Sequence, residues 1–327
     1  VPANTLTKGL DALASTTLEK VRPVMADNIF KGNPLLFLLY DKRQIEDGGL
    51  LIAEPLMYAT ATSVKYLSGG YDTLDTTAQE GITQATFEWR TLTATISISG
   101  DEEAKNSGET AILNLLKAKV AQSEMSQREQ IDKDMLQIAT AKDASAFLGL
   151  DELVQDGTSW TTDTVGGINS GTFTFWRNQQ FDAAGAVGDA WRNMLAPLYI
   201  NCTEGREHPD IAITTKTNYA LFEAAMGGQV RVTSKAFDDF GYENILYKGM
   251  PVVPDFWCQA DLFYMINTNF LRWHVHRNRD FRVYPFQRPV DQDSMIASII
   301  TMGQLTTNNR RFQGVAVGVN GTNLTAW

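Results

Sequence analysis

The chain has 327 residues, 43% hydrophobic and 20% charged, with a formal net charge of −10 and two cysteines. That composition is ordinary for a globular protein, and the length is enough to bury a core without disulfide or metal staples, so collagen-like, coiled-coil and disordered classes are excluded. The acidic balance argues against a dedicated nucleic-acid binder, which carries a basic footprint. Cys202 and Cys258 lie far apart without a CxxC pair, which argues against a disulfide scaffold or structural zinc and fits a reducing cytoplasm. No signal-peptide pattern is read at the start of the chain. The longest aliphatic-aromatic run, Leu35 to Tyr40, is six residues, against the ~20 that a membrane span needs. A soluble protein of about two domains, or one large composite subunit, is expected.

In chain order, residues 1–44 read as an arm. Leu6, Leu10, Leu13, Leu18 and Val21 predict a short amphipathic helix ended by Pro23. The apolar Leu35–Tyr40 that follows needs a surface to lie on. Residues 45–99 read as a long β-hairpin opened by Gly48-Gly49. Its outgoing strand carries Leu50, Ile52, Leu56, Tyr58, Val64 and Tyr66 on even positions, with Pro55 marking an edge or bulge. The return strand shows Phe87 and Trp89 on one face, then Leu92, Ala94, Ile96 and Ile98 on the other. That change of phase predicts a bulge or a strand passing into a new environment. The tip, Ser68 to Thr83, contains acids and glycines and no basic residue. It is long for a hairpin loop, and an isolated ribbon cannot cover the apolar surface of these strands, so a neighbouring subunit is expected to order it.

Residues 109–140 carry the strongest helical pattern, with Ile112, Leu116, Val120, Ile131, Met135 and Ile138 in phase and an Asn106/Glu109 capping box ahead. Such a helix would be ~48 Å long, close to the ~50 Å diameter of a compact chain of this size, which predicts a partly solvated spine. Residues 150–181 read as a loop-rich strand region around Gly166-Gly167. From 189 to 270 helices and strands alternate, with helices near 189–198 and 216–226 and strands at 211–214, 250–253 and 262–266, an α/β or α+β module. Strands return around Ile296–Met302 and Val315–Val319.

Chemistry-bearing motifs are sparse: no HExxH, P-loop, GxGxxG or GxSxG occurs. His274 and His276, two apart on a strand, have metal-like spacing, but zinc needs a third ligand and Arg272, Arg277 and Arg279 oppose a cation there. Asp291 and Asp293 form a DxD that reads as a turn before a strand. Arg272, Arg277, Arg279, Arg282 and Arg288 make a local basic cluster. Phosphate contact is one reading of it. The preferred one is pairing between subunits with acidic stretches such as 101–109 or the hairpin tip. No catalytic, cofactor-binding or metal-binding residue is assigned, no cofactor is expected, and the chain is not read as an enzyme.

The order of parts resembles the major capsid protein of tailed bacteriophages, the Hong Kong 97-like family. The resemblance rests on an ordered set of stretches. They are Asp27-Asn28-Ile29-Phe30 with Asn33-Pro34-Leu35-Leu36; Asp47-Gly48-Gly49; Thr93 to Ser99 followed by an acidic turn and the long helix; Gly149 to Val154; Val165-Gly166-Gly167-Ile168; and Phe175-Trp176-Arg177-Asn178. It implies an α+β fold with an N-terminal arm (1–44), an E-loop hairpin (45–99), a P-domain (100–189 and 281–311) with a spine helix at about 109–140, and an A-domain (190–280 and 312–327). It also implies a virion subunit, assembled in the host cytoplasm, that forms hexamers and pentamers of an icosahedral head around double-stranded DNA without binding it tightly and without a membrane. Portal, a separate scaffolding protein and a decoration protein are implied partners. Some members cross-link an E-loop Lys to a neighbour's Asn. Lys65 with Asn308 or Asn309 would be the pair here, but no carboxylate is assignable as catalyst and no cross-link is expected. The alternatives are an encapsulin-like nanocompartment shell and, from a different class, a metallohydrolase using His274 and His276.

Overall fold

The computed structural model describes residues 34–105, 115–157, 161–182, 190–226 and 245–319. The amphipathic helix expected before Pro23 and the Asn106/Glu109 capping box lie outside those residues. The first described element is helix α1 (Pro34–Asp41). Pro34 suits a first helical turn, where its missing N–H has no partner to lose. Leu35, Leu36 and Leu39 are buried and Phe37 is not, so the greasy run finds its surface inside this chain, against the spine helix and the strand that carries His274.

Strand β1 (Gln44–Glu46) leads through Gly48 and Gly49, at φ +139° and +135°, into the hairpin β2 (Leu51–Met57) and β3 (Ile82–Glu88). Those left-handed angles favour glycine. The paired ribbon is shorter than expected. It opens just past Met57↔Ile82, with one further bond from Tyr58 N–H to the Gly81 carbonyl, so Val64 and Tyr66 lie in the tip rather than on a strand. After Trp89 the chain enters β4 (Arg90–Ser99) and joins a different sheet, the move that the change of phase anticipated.

A short helix α2 (Gly100–Lys105) precedes the spine α3 (Leu115–Leu136). The described spine has 22 residues, about 33 Å, and ends sooner than the apolar pattern suggested. Lys142 Nζ donates to the Asp134 carbonyl at 3.1 Å, and Asp151 accepts the Ala139 N–H at 2.8 Å, which turns the chain away and leaves Ile138 exposed. The polar middle of α3 is not all solvated: Gln127 is buried and donates to the Ile299 carbonyl at 2.7 Å. Helix α4 (Leu150–Leu153), the tight hairpin β5 (Thr164–Val165) and β6 (Ile168–Asn169) around Gly166-Gly167, and β7 (Gln179–Asp182) complete the middle of the chain.

Helix α5 (Ala190–Asn201), β8 (Ile211–Thr214), α6 (Lys216–Met226), β10 (Met250–Pro254) and β11 (Leu262–Ile266) follow close to their predicted positions, and an unpredicted strand, β9 (Ile245–Tyr247), precedes β10. The described residues end in β12 (Leu271–His276), β13 (Arg282–Gln287), β14 (Ser294–Thr307) and β15 (Gly314–Val317). The strands form a six-stranded sheet in the order β7-β15-β11-β8-β10-β9, and a five-stranded one built on β14. One edge of β14 pairs with β4, the other with β13 and then β12, and β1 lies parallel to β12. The sheets therefore divide between β11 and β12, and β7 joins the six-stranded sheet.

Alternation explains the layers. In the six-stranded sheet Ile211, Ile213, Tyr264, Ile266 and Val315 enter a central core shared with Leu271, Trp273 and Leu305 of the other sheet, with α1, with α3 and with the hairpin. Ala212, Phe263, Met265 and Ala316 point to the opposite face, into a second core with Leu195, Leu198 and Phe222 of α5 and α6. In the first half of β14 the odd residues Ala297, Ile299 and Thr301 are the buried ones, and from Gly303 to Thr307 every residue is buried.

Candidate functional site

The ribbon is two-faced. Ile52, Glu54, Leu56, Ala85 and Phe87 are buried against the body, while Leu51, Ala53, Pro55, Met57 and Ile82 face outward. Met57 and Ile82 are cross-strand partners and expose 80% and 76% of their surface. Beyond them the tip, residues 58–81, carries Val64, Leu67 and Leu74 exposed and Tyr66 and Tyr71 fully so. This many large apolar side chains left exposed on one hairpin point to an interaction surface. The tip has local order of its own. Asp72 accepts the Ser68 and Gly69 N–H groups at 2.6 and 3.2 Å, Asp75 accepts the Thr77 N–H at 3.0 Å, Gln79 accepts from Thr62 at 2.8 Å, and Lys65 bonds the Thr73 carbonyl. The bonds from Ser68 and Gly69 hold the Asp72 carboxyl below the usual range, and the Thr77 hydroxyl first, then the Thr77 N–H, do the same for Asp75.

A polar anchor fixes the ribbon's base. Glu54, buried on β2, accepts from His274 Nε2 at 2.8 Å and Thr306 Oγ1 at 2.9 Å, with Arg272 Nη1 at 3.5 Å. Burial alone would push the Glu54 carboxyl up. The bonds from His274 and Thr306, then the charges of His274 and Arg272, outweigh burial and bring it down. Glu46, on the far side of the Gly48-Gly49 turn, places Oε1 3.4 Å from His274 Nδ1. At the start of the tip Tyr58 stacks on Phe175 at 5.2 Å, and along β3 the Thr86 N–H donates to the Gly166 carbonyl at 2.9 Å.

The histidine pair is therefore brought to the ribbon's base. His274 is occupied by Glu54, and His276 caps Asn278 N–H at 3.2 Å with its ring 6.1 Å from that of Trp89. Among the described residues no three metal-ligating side chains gather around either ring. The arginine cluster is split. Arg272 meets Glu54, Arg277 meets Asp47 at 2.9 Å, and Arg282 lies 5.7 Å over the ring of Tyr284, so part of the expected acidic partnership is within the chain. Asp293 lies in the loop before β14, as a turn, and its carbonyl accepts the Gly100 N–H at 2.9 Å.

Arg310, to which the sequence reading gave no role, is fully buried. Its five N–H donors meet the Leu153 carbonyl (2.7 Å), Ser170 Oγ (3.0 Å), the Trp176 carbonyl (3.1 Å), Gln155 Oε1 (3.2 Å) and Asn178 Oδ1 (3.0 Å). Burial brings its pKa down to about 10, so it stays charged at neutral pH. Three of its five acceptors, on Leu153, Trp176 and Asn178, lie in the stretches 149–154 and 175–178 that carried the family resemblance. An Arg between two Asn and another Arg in a loop has no local signal of burial.

No family model matches the chain, and no curated protein matches it. Solved structures do. The capsid asymmetric unit of cyanophage A-1(L) superposes with a TM-score of 0.71 at 16% identity, covering 90% of this chain and 95% of that one. The capsid of Myoviridae phage XM1 gives 0.55 at 13%, covering 92% and 96%. This chain has the Hong Kong 97-like capsid fold. The holo-SrpI encapsulin complex of Synechococcus elongatus PCC 7942 also matches, at 0.63 and 10% identity over 95% of both chains. The capsid fold is shared with these chains as backbone architecture rather than as side chains, because at most 16% of positions agree among these three.

Proposed function

We propose that this protein is the structural, non-enzymatic subunit of an icosahedral phage head, self-assembling into hexamers and pentamers that enclose double-stranded DNA. The observation that carries the reading is the two-faced ribbon: its inner face is locked to the body and its outer face and tip leave large apolar side chains uncovered. Copies of the same chain supply the missing cover through heterologous contacts closed by symmetry, and many weak contacts add up in a closed lattice. In this reading residues 45–99 are the E-loop, whose return strand β4 runs into the five-stranded sheet that with α3 belongs to the P-domain, and the six-stranded sheet with α5 and α6 is the A-domain. Virion localisation, assembly in the host cytoplasm, and portal, scaffolding and decoration partners belong to the same proposal. A net charge of −10 keeps the packed genome from adhering tightly.

The encapsulin-like reading is the second, favoured by the likeness to the Synechococcus elongatus encapsulin over 95% of both chains. The test is electron microscopy of the purified full chain. Closed shells or five- and six-membered rings are expected, and a monodisperse monomer at high concentration overturns both readings. Particles from the native source separate the two: double-stranded DNA inside supports the phage head, and protein cargo the compartment.

A further inference from the structure

Two carboxyl groups lie buried where α1, α3 and the segment after β10 meet: Asp132, 1% exposed, and Asp255, 2% exposed. Each is held on one side by backbone. The Leu36 N–H of α1 donates to Asp132. The Trp257 N–H donates to Asp255 Oδ1 at 2.9 Å, and the Phe256 N–H donates to the same carboxyl. The remaining oxygens, Asp132 Oδ1 and Asp255 Oδ2, are shut off from solvent and accept no hydrogen bond from any described residue.

The charges around them do not neutralise two anions. Asp255 acts on Asp132 from the β10–β11 connection, and Glu129 acts on it from α3 itself. Lys216, at the start of α6, is the cation acting on Asp255, and no salt bridge to either carboxyl is found among the described residues. Lys133 of α3 lies 5.0 Å over the Trp257 ring. Cys258 faces Asp255 as a buried thiol that burial pushes up. From α1, Tyr40 bonds Asp280 instead. Two ionised carboxylates at such a site would be desolvated like charges with orphaned acceptors. One proton removes a charge and converts an orphaned acceptor into a donor.

We propose that Asp132 and Asp255 hold a single proton between them at neutral pH, and that this proton latches α1 and the segment after β10 onto the spine helix. Burial first, then the charge of Asp255, holds Asp132 well above the ordinary carboxyl range, and burial brings Asp255 up to about 6. The direction follows. The folded pair binds protons that the unfolded chain has released above about pH 3.9, so its contribution is complete below that value. It is lost as pH rises through about 6 and further as Asp132 ionises. The latch loosens on the alkaline side. It does not depend on the assembly reading.

The test compares the full wild-type chain with Asp132→Asn and Asp255→Asn, which keep an acceptor for the backbone but cannot ionise. Thermal midpoints are measured from about pH 5 to about pH 9, with amide exchange at Leu36 corrected for its intrinsic pH dependence. Relative to wild type, each variant is expected to gain roughly 4 °C across that range, and Leu36 exchange is expected to quicken at high pH in the wild type but not in Asp132→Asn. Parallel profiles for all three proteins overturn the proposal. Should neither variant fold, infrared spectroscopy of the wild type decides: a protonated buried-carboxyl band at neutral pH supports the shared proton, and its absence overturns it.

Discussion

Arg310 and Glu54 show how single residues hold distant parts of this chain together. Arg310 reaches back 157 residues to the Leu153 carbonyl, and Glu54 reaches 252 residues forward to Thr306. Each is a buried charge, which costs several kcal/mol of desolvation unless its partners are in place. For Arg310 they are: five donors meet five acceptors. Replacing it with Met keeps the bulk and leaves those acceptors without donors, so Arg310→Met is expected to lower unfolding free energy by roughly 3–5 kcal/mol. Arg310→Lys, charged but unable to present a planar fork, is expected to fall between it and wild type. Denaturant titration of the three proteins checks the order, and a Met variant as stable as wild type would show the network to be energetically idle. Neither residue was legible as a hub. A loop Arg and a mid-strand Glu read as solvated, because the partners that make burial tolerable are remote in sequence.

At the scale of elements, the ribbon is the part whose two faces answer to different surroundings. Its inner row was readable from even-numbered Ile52 and Leu56. The length of its paired section was not, because Val64 and Tyr66 keep the same parity after the strands have parted. Parity reports which way a side chain points only while the backbone stays extended and paired. The outer row carries a prediction. Met57 and Ile82 touch little of their own body, so the double variant Met57→Ser, Ile82→Ser is expected to change unfolding free energy by less than about 1 kcal/mol. Burying such side chains against a neighbour is worth roughly 1.5–3 kcal/mol each, repeated over every copy, so assembly is expected to collapse. Sedimentation of the variant reads this. Shells forming as readily as in wild type would mean that no neighbour covers that face. The spine helix gives the complementary lesson. Ile138 continues the apolar period past the point where Lys142 and Asp151 turn the chain, so the period outlasts the helix.

For the whole molecule the deciding balance is between long-range charge and local apolar contact. Copies carrying −10 each repel, and that repulsion is screened within about 10 Å at 0.1 M salt. Exposed ion pairs between subunits contribute only about 0–1 kcal/mol apiece, whereas apolar burial is not screened at all. Raising salt from about 0.01 M to about 0.3 M is therefore expected to increase the assembled fraction measured by light scattering. A fall would mean that pairs such as tip carboxylates with Arg279 or Arg282 of a neighbour dominate. By itself the sequence determined a mixed α and β chain, the helix at 216–226 and the strands at 211–214, 250–253 and 262–266, the glycine turns at 48–49 and 166–167, and a ribbon rich in apolar residues. Those features follow from local periodicity and backbone preference, which neighbouring residues carry. Only the tertiary structure decided where the two sheets divide, which face of β14 is inside, where the spine stops, and which charges are buried with partners. Each of those depends on contacts outside the local period, from the turn that Lys142 and Asp151 make 8 and 12 residues away at the spine's end to the reach of Arg310 over 157 residues, and burial of a polar group becomes favourable only once such partners arrive.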